Sequence, residues 1–248
     1  MHADLPAPDP EALAHSEQLA AHLRGEIAAA AGAIPFSRFM ELALYAPGWG
    51  YYSAGASKFG EAGDFVTAPE LGPLFAATVA GALAPVLQQL GPQARVLELG
   101  GGSGAFAEVM LKRLLELDAL PERYAILEPS ADLRERQRER LGKLLIPPVF
   151  DLVEWIDGPF PDDWDGVVFA NEVIDALPTP RFGVRDGQVV EETVVLDAQG
   201  AFARGEQPAD ALLAAAVRHV ERYLERPFAE GYRSELLPQL PYWIQAVA

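Results

Sequence analysis

The 248-residue sequence contains no cysteine. That absence excludes disulfides, thiolate metal sites and a cysteine nucleophile together, and it fits a reducing cytoplasm, where the chain is expected to reside. Histidine is nearly as scarce: the four sit at positions 2, 15, 22 and 219, in no order that makes a hydrolytic triad, and no metal site is expected. Positive charge is also short, with 19 basic against 36 acidic side chains and a net charge of −17. Such a chain repels phosphate backbones and anionic lipid surfaces and attracts a basic partner, so nucleic acid is not the expected substrate. Apolar runs are interrupted by charge, Gly or Pro before the roughly 18–20 residues that a membrane-spanning helix requires. The first ten residues hold two aspartates and three prolines and lack the basic start and apolar run of a secretory signal. Neither membrane insertion nor export is expected.

What is present is apolar bulk, 50% of the residues, enough for a substantial core. Leu13, Leu19, Leu23 and Ile27 share one face of an Ala-rich helix over residues 11–31, and a second short helix is predicted from Pro35 to Leu44. Tyr45 to Gly63 is a glycine-rich loop anchored by aromatic residues. Thr67 as N-cap and Pro69 in the first turn predict a helix through about Leu90, kinked near its end by Pro85. From Arg95 short apolar runs alternate with helical ones. Strands are predicted at Val96–Leu99, Tyr124–Leu127, Val149–Trp155 and Val167–Ala170, with helices at Phe106–Leu117 and Leu133–Leu144. Nearly continuous apolar strands between helices make a parallel α/β sheet buried on both faces. Asp186-Gly187 then reads as a two-residue hairpin turn, with a strand at Thr193–Leu196, a helix at Ala209–Glu225 and a last helical segment holding Trp243, Ile244 and Val247.

The chemistry concentrates where strands end. Val96-Leu97-Glu98-Leu99-Gly100-Gly101-Gly102-Ser103-Gly104-Ala105 runs from a strand through a glycine-rich turn into a helix, the arrangement that lets backbone approach a nucleotide-like cofactor. Gly100, Gly102 and Ala105 also satisfy a dinucleotide pattern, so the turn alone leaves the cofactor open. Glu98 favours S-adenosylmethionine, because a carboxylate there repels a pyrophosphate but can face the ammonium of a methionine moiety. Glu128, closing the second strand, stands where an acid accepts both ribose hydroxyls of either cofactor. Asn171, Glu172 and Asp175 follow the fourth strand at the crevice where open α/β sheets bind ligands; a helix start with acids in its first turn is the plain alternative. The run Arg134, Arg136, Arg138, Arg140 alternates with acids and reads as a solvated helix face, and His219 reads as a surface residue.

Five ordered segments make a resemblance specific: Leu44-Tyr45-Ala46-Pro47-Gly48-Trp49-Gly50-Tyr51-Tyr52, Gly63-Asp64-Phe65-Val66-Thr67-Ala68-Pro69-Glu70, the Glu98–Gly104 loop, Asn171-Glu172 with Asp175-Ala176-Leu177-Pro178, and Gly231-Tyr232-Arg233-Ser234-Glu235. With them the chain resembles the MidA family of S-adenosylmethionine-dependent methyltransferases, the mitochondrial complex I assembly methyltransferases and their bacterial relatives. The resemblance implies a Rossmann-like class I methyltransferase sheet with N-terminal helices and a β-hairpin insertion, truncated at its C-terminal end relative to the family. It implies S-adenosylmethionine as cofactor and an arginine of a protein partner as methyl acceptor, in the mitochondrial case on a respiratory complex I subunit. By the same resemblance Glu98, Gly100, Gly102 and Gly104 line the methionine end of the cofactor, Glu128 binds the ribose, and Trp155 with Ile156 or Asp157 borders the adenine. Asn171 belongs to the same cofactor set. The segment Gly63–Glu70, with Asp64 and Thr67, closes over the site.

Arginine stays protonated below a pKa of about 12, so carboxylates must orient its guanidinium for attack, and Glu172, Asp175 and Glu70 are the candidates for that clamp. The linear reading divides the chain into an N-terminal helical and lid region at 1–92, a cofactor-binding core at 93–180 and a hairpin-plus-helix remainder at 181–248. Rival readings are a non-catalytic cofactor- or partner-binding scaffold and an NAD-dependent oxidoreductase. A hydrolase is disfavoured because position 105 is Ala where a nucleophile elbow needs its second glycine.

Overall fold

The structure, a computed structural model, describes residues 8–52, 67–158 and 163–247. In chain order its elements begin with α1 (Pro10–Ala29), β1 (Ala33–Pro35), α2 (Phe36–Tyr45) and α3 (Pro73–Leu90). Then follow β2 (Arg95–Leu99), α4 (Ala105–Glu116), β3 (Arg123–Leu127), α5 (Ala131–Leu144), α6 (Pro147–Phe150), β4 (Val153–Ile156) and β5 (Gly166–Ala170). A single 3₁₀ turn at Ile174–Ala176 precedes β6 (Arg181–Arg185), β7 (Gln188–Leu196), β8 (Phe202–Pro208), α7 (Ala211–Glu221), β9 (Arg233–Glu235) and α8 (Leu240–Val247). The chain divides into two compact units, Met1–Ala54 with Leu177–Pro241, and Gly55–Ala176 with Tyr242–Ala248. These cut across the linear ranges 1–92, 93–180 and 181–248. β1 pairs with β7, tying the first helices to the late strands, whereas α3 packs on α4 and belongs with the parallel sheet.

In the parallel unit the strand order is β4-β3-β2-β5, every pair parallel. Alternation along β2 and β3 gives the sheet two apolar faces. Val96, Tyr124 and Ile126 pack with Phe106, Met110, Leu111 and Leu114 of α4, while Leu97, Leu99 and Ala125 form a second cluster on the opposite face. Both central strands are buried, as the apolar runs predict. β5 alternates between exposed and half-buried residues, because among the described strands it pairs only with β2.

Two local expectations change in this unit. The α3 helix starts at Pro73, not Pro69: residues 68–70 form a turn in which the amides of Glu70 and Leu71 donate to the Thr67 carbonyl, and Gly72, at φ 146°, redirects the chain before Pro73 takes the first helical position. Likewise Val149–Trp155 is not one strand. Pro147 and Pro148 preset helical φ, and the amides of Val149 and Phe150 donate to the Ile146 carbonyl, so a single helical turn precedes β4. The uncharged α3 is, among the described residues, the one helix long and apolar enough to cross a membrane; Ala76, Ala80, Ala84 and Leu87 make one stripe of it core, packed in the cluster that holds α4.

The other unit is antiparallel. β7 pairs on one side with β6 and β1 and on the other with β8, and β9 extends the sheet beyond β6. The turn between β6 and β7 is the predicted hairpin: Asp186 at φ 50° and Gly187 at φ 69° supply the two left-handed residues that a tight two-residue turn demands. Leu23, Ile27, Ile34 and Leu42 close with Val194 into one small core, and Phe182 and Val189 with Leu213 and Val217 of α7 into another. Asp9 caps α1 by accepting from the Ala12 amide at 2.8 Å. The aromatics of Tyr45–Tyr52 serve packing here, with Tyr45 stacked on Tyr52 and Trp49 lying 4.6 Å from His22 of α1.

Candidate functional site

Parallel strands deliver their carboxyl ends to one edge, and the predicted site residues that can be described, Trp155 and Ile156 excepted, collect there. β2 ends in the glycine-rich turn, in which Gly100, Gly102 and Gly104 have φ of 67°, 52° and 80°, conformations that side-chain-bearing residues rarely adopt. The turn is also crowded underneath. A Cβ on Gly100 would lie 2.9 Å from Val173 Cγ2, and one on Gly101 would lie 2.8 Å from Ile126 Cγ2 and 3.1 Å from Gln137 Nε2. Gly100 donates to the Leu127 carbonyl at 2.9 Å, fastening the turn to the end of β3. Ser103 donates to the Glu70 carboxylate, which brings Glu70 against the turn. Thr67 lies in the same stretch as the acceptor of the Glu70 amide, and Asp64 falls outside the described residues.

Glu98 is 3% exposed, on the α4 face of the sheet beneath the turn, and its Oε2 accepts from the Tyr124 hydroxyl at 2.8 Å. Burial pushes this carboxyl up to about 7; the Tyr124 hydrogen bond works against that rise and the neighbouring Glu128 charge adds to it. Among the described residues no basic side chain forms an ion pair with it.

Glu128, just beyond β3, is 6% exposed. Its carboxylate accepts from the backbone amide of Ser130 at 3.0 Å. Burial raises its pKa; the Ser130 bond, the neighbouring Gly102 backbone and Gln137 side chain, and the Arg134 charge hold the rise back. Beside it opens a cleft of about 270 Å³ lined by Leu127, Pro129, Ala131, Arg134 and Asp157. Three apolar side chains and the Arg134–Asp157 ion pair line this cleft next to a buried carboxylate, a combination able to take a purine and its ribose.

Three residues sit elsewhere than the sequence predicts. Trp155 does not line the cleft: its Nε1 donates to Gln137 Oε1 at 2.8 Å and the Arg138 guanidinium lies over its ring at 4.8 Å, on the α5 side of the sheet. Ile156, one residue on, points to the opposite face with Leu97 and Leu127, and only Asp157 of this stretch borders the cleft. Arg134 is not part of a solvated face. It is 18% exposed, donates to the carbonyls of Glu128 and, at 3.0 Å, of Ile156, and pairs with Asp157 at 2.7 Å, tying the ends of β3 and β4 together. Arg140 reaches the half-desolvated Glu108 at 2.9 Å, while Arg136 and Arg138 pair locally along the helix, as the charge alternation predicts.

After β5, Asn171 is half-buried while Glu172 and Asp175 are exposed, and Val173 between them touches the glycine turn. Glu172 has φ of 54°, a conformation that costs a residue with a side chain free energy and that concentrates at functional sites. Glu172 and Asp175 therefore share a short segment beside the turn, and Glu70 reaches the turn from α3's side. Sequence reasoning missed Gln137 and Tyr124. The signal for Gln137 was its spacing, four residues after Leu133 and four before Leu141, a lone amide in the buried stripe of an otherwise charged helix.

Comparison with known proteins bears on this arrangement. The profile of a family of S-adenosyl-L-methionine-dependent methyltransferases matches residues 78–248. A COG1565 superfamily member from Burkholderia thailandensis, solved with S-adenosyl-homocysteine bound, is 44% identical and superposes with a TM-score of 0.85 over 98% of this chain and 62% of its own. A second structure of such a protein from the same organism gives 42% identity and a TM-score of 0.81, covering 98% and 60%. The "Protein arginine methyltransferase NDUFAF7 homolog, mitochondrial" of Drosophila melanogaster is 28% identical over 92% of this chain and 55% of its own length. The chain thus spans a little over half of the relatives it matches. With two thirds of its residues inside the family profile, the glycine turn and Glu128 included, the chain belongs to the S-adenosyl-L-methionine-dependent methyltransferases.

Proposed function

We propose that this chain binds S-adenosylmethionine at the carboxyl edge of its parallel sheet and serves methyl transfer to an arginine nitrogen of a protein partner. The observation that carries the cofactor half is Glu128: a buried carboxylate, hydrogen-bonded by the Ser130 amide with oxygen capacity to spare for hydroxyls, between a glycine turn and a cleft of purine dimensions. The residues fit the group. Gly100, Gly102 and Gly104 leave room for its backbone-facing end, Glu128 takes the ribose, and Leu127, Ala131 and Asp157 border the base. Glu98, under the turn, favours the cofactor's ammonium by charge, and Asn171 belongs to the same edge.

When bound, this cofactor supplies an electrophilic methyl group on a sulfonium. A guanidinium nitrogen that accepted this group would have to release one proton, for which the carboxylates of this edge or water would serve. Such transfer is governed by positioning. Exposed Glu172 and Asp175, held beside the turn by the strained backbone at Glu172, orient the guanidinium, and Glu70 is the third candidate. The arginine and protein reading is supported by the name of the Drosophila relative and by the net charge of −17, which draws a basic segment.

Calorimetric titration of the chain with S-adenosylmethionine and, separately, NAD tests the cofactor half, repeated on Glu128→Ala. Binding of the sulfonium alone, lost in the variant, is the expected result; binding of NAD overturns it. For the acceptor, methyl transfer is assayed on arginine-containing and lysine-containing peptides. Undiminished transfer by the double variant Glu172→Gln, Asp175→Asn removes the clamp.

A further inference from the structure

Gln137 is fully buried in the middle of α5, a helix otherwise dominated by charge. Burying an amide is costly unless each of its polar atoms is satisfied, and here each is. Trp155 Nε1, which can only donate, fixes the oxygen end of the amide by bonding Oε1 at 2.8 Å. The NH2 end is thereby turned towards the site. It donates to the Gly102 carbonyl at 2.8 Å, and both the Gln137 side chain and the Gly102 backbone favour the charged form of the neighbouring Glu128 carboxylate.

The packing agrees with the hydrogen bonds. Gln137 lies 3.1 Å from where a Cβ on Gly101 would stand and 3.4 Å from one on Gly104, so the floor of the glycine turn is this side chain. Isosteric replacements are poor. Glutamate sets a second carboxylate against Glu128, asparagine is one methylene short of reaching both Trp155 and Gly102, and methionine carries no donor.

We propose that Gln137 is a positioning residue of the cofactor site, acting through Gly102 and Glu128, with Trp155 as the residue that orients its amide. The proposal rests on the cofactor reading above. It also gives Trp155 a role behind the site, where the sequence resemblance implied a role at the adenine.

The test is the Kd for S-adenosyl-homocysteine, measured by calorimetry on the whole chain for wild type, Gln137→Met, Glu128→Ala and the double variant, with melting temperatures taken alongside. Loss of charge-assisted and neutral hydrogen bonds behind the site weakens binding by about tenfold or more in Gln137→Met. Because the amide acts largely through Glu128, the double variant binds less than twofold more weakly than Glu128→Ala alone. An unchanged Kd in folded Gln137→Met overturns the proposal, as do two variants whose effects simply multiply, which is the behaviour of core filling. If Gln137→Met does not fold, Trp155→Phe removes the orienting bond while keeping an aromatic ring in its place. A weakened Kd with an unaltered melting temperature then supports the proposal, and an unchanged Kd overturns it. Wild-type chain that binds no S-adenosyl-homocysteine sinks the cofactor reading itself, an outcome distinct from binding that ignores Gln137.

Discussion

The two units differ in how they surround particular buried carboxylates. In the antiparallel unit Glu192, 5% exposed, is surrounded by three guanidiniums, with Arg181 at 2.8 Å, Arg233 at 3.1 Å and Arg204 at 3.2 Å, and Arg185 and Arg233 both reach Glu206. In the parallel unit Glu98 has a tyrosine hydroxyl for a partner, and Glu128 is met by the Ser130 amide. Glu108 of the same unit, paired with Lys112 and Arg140, shows that the parallel sheet neutralises its acids where no ligand is due. A carboxylate neutralised within the fold is architecture. Glu98 and Glu128, hydrogen-bonded by uncharged groups and outside any ion pair among the described residues, stand at the strand ends of the parallel sheet, whereas Glu191 of the antiparallel unit, met by the Gln207 amide at 3.0 Å, lies within β7.

The strongest way to break the contrast is to unbalance the neutralised acid. Glu192→Ala leaves three guanidiniums around a vacated carboxylate site and is expected to cost about 3–5 kcal/mol of stability in urea unfolding, with the cofactor Kd of the folded protein unchanged.

Next is the pH dependence of Glu98. Its folded pKa of about 7 stands above an ordinary 4.5. Between those values the native state binds more protons than the unfolded state, so stability falls as pH rises through that window, by an amount on the order of 3 kcal/mol, and is level above it. Melting curves between pH 4.5 and 8 should display this decline, and Glu98→Gln should flatten it. Glu108, its pKa lowered by Lys112 and Arg140 against the cost of burial, contributes stability that is lost only as pH falls below that window.

Glu128→Ala sharpens the same comparison from the ligand side. Removing an acceptor of charge-assisted hydrogen bonds costs about 1.5–3 kcal/mol of binding, roughly 10- to 100-fold in Kd, while thermal stability holds or rises slightly because a desolvated carboxylate is gone. The smallest effect belongs to the hairpin of the antiparallel unit. Gly187→Ala, at φ 69°, should cost about 1 kcal/mol in unfolding experiments and leave cofactor affinity alone.

Much of this was legible in the chain. The apolar runs of β2, β3 and β5 with helices between them specify a parallel sheet, Asp186-Gly187 specifies its hairpin, and the glycine turn with Glu128 specifies an adenosine cofactor, because each is a local pattern with one geometric solution. The N-terminal boundary of α3 and the helical turn before β4 were misread, since Thr67-Pro69 and Val149-Phe150 satisfy local rules that the neighbouring Gly72-Pro73 and Pro147-Pro148 override. The strands β1, β8 and β9 carry little apolar alternation of their own and exist through pairing with β7 and β6.

By itself the sequence determined the order of elements and the residue types at each strand end, because helix period, strand alternation and turn chemistry act over a few neighbouring residues. Only the tertiary structure decided that Gln137, in a run that reads as a solvated face, is the buried floor of the glycine turn, that Trp155 bonds Gln137 behind it, and that Glu98 and Glu128 make no ion pair among the described residues while Glu192 gathers three guanidiniums. Those outcomes depend on contacts across 11 to 41 positions of chain, such as Arg181 with Glu192, Trp155 with Gln137 and Arg233 with Glu192, and burial and pairing at such range belong to the fold as a whole.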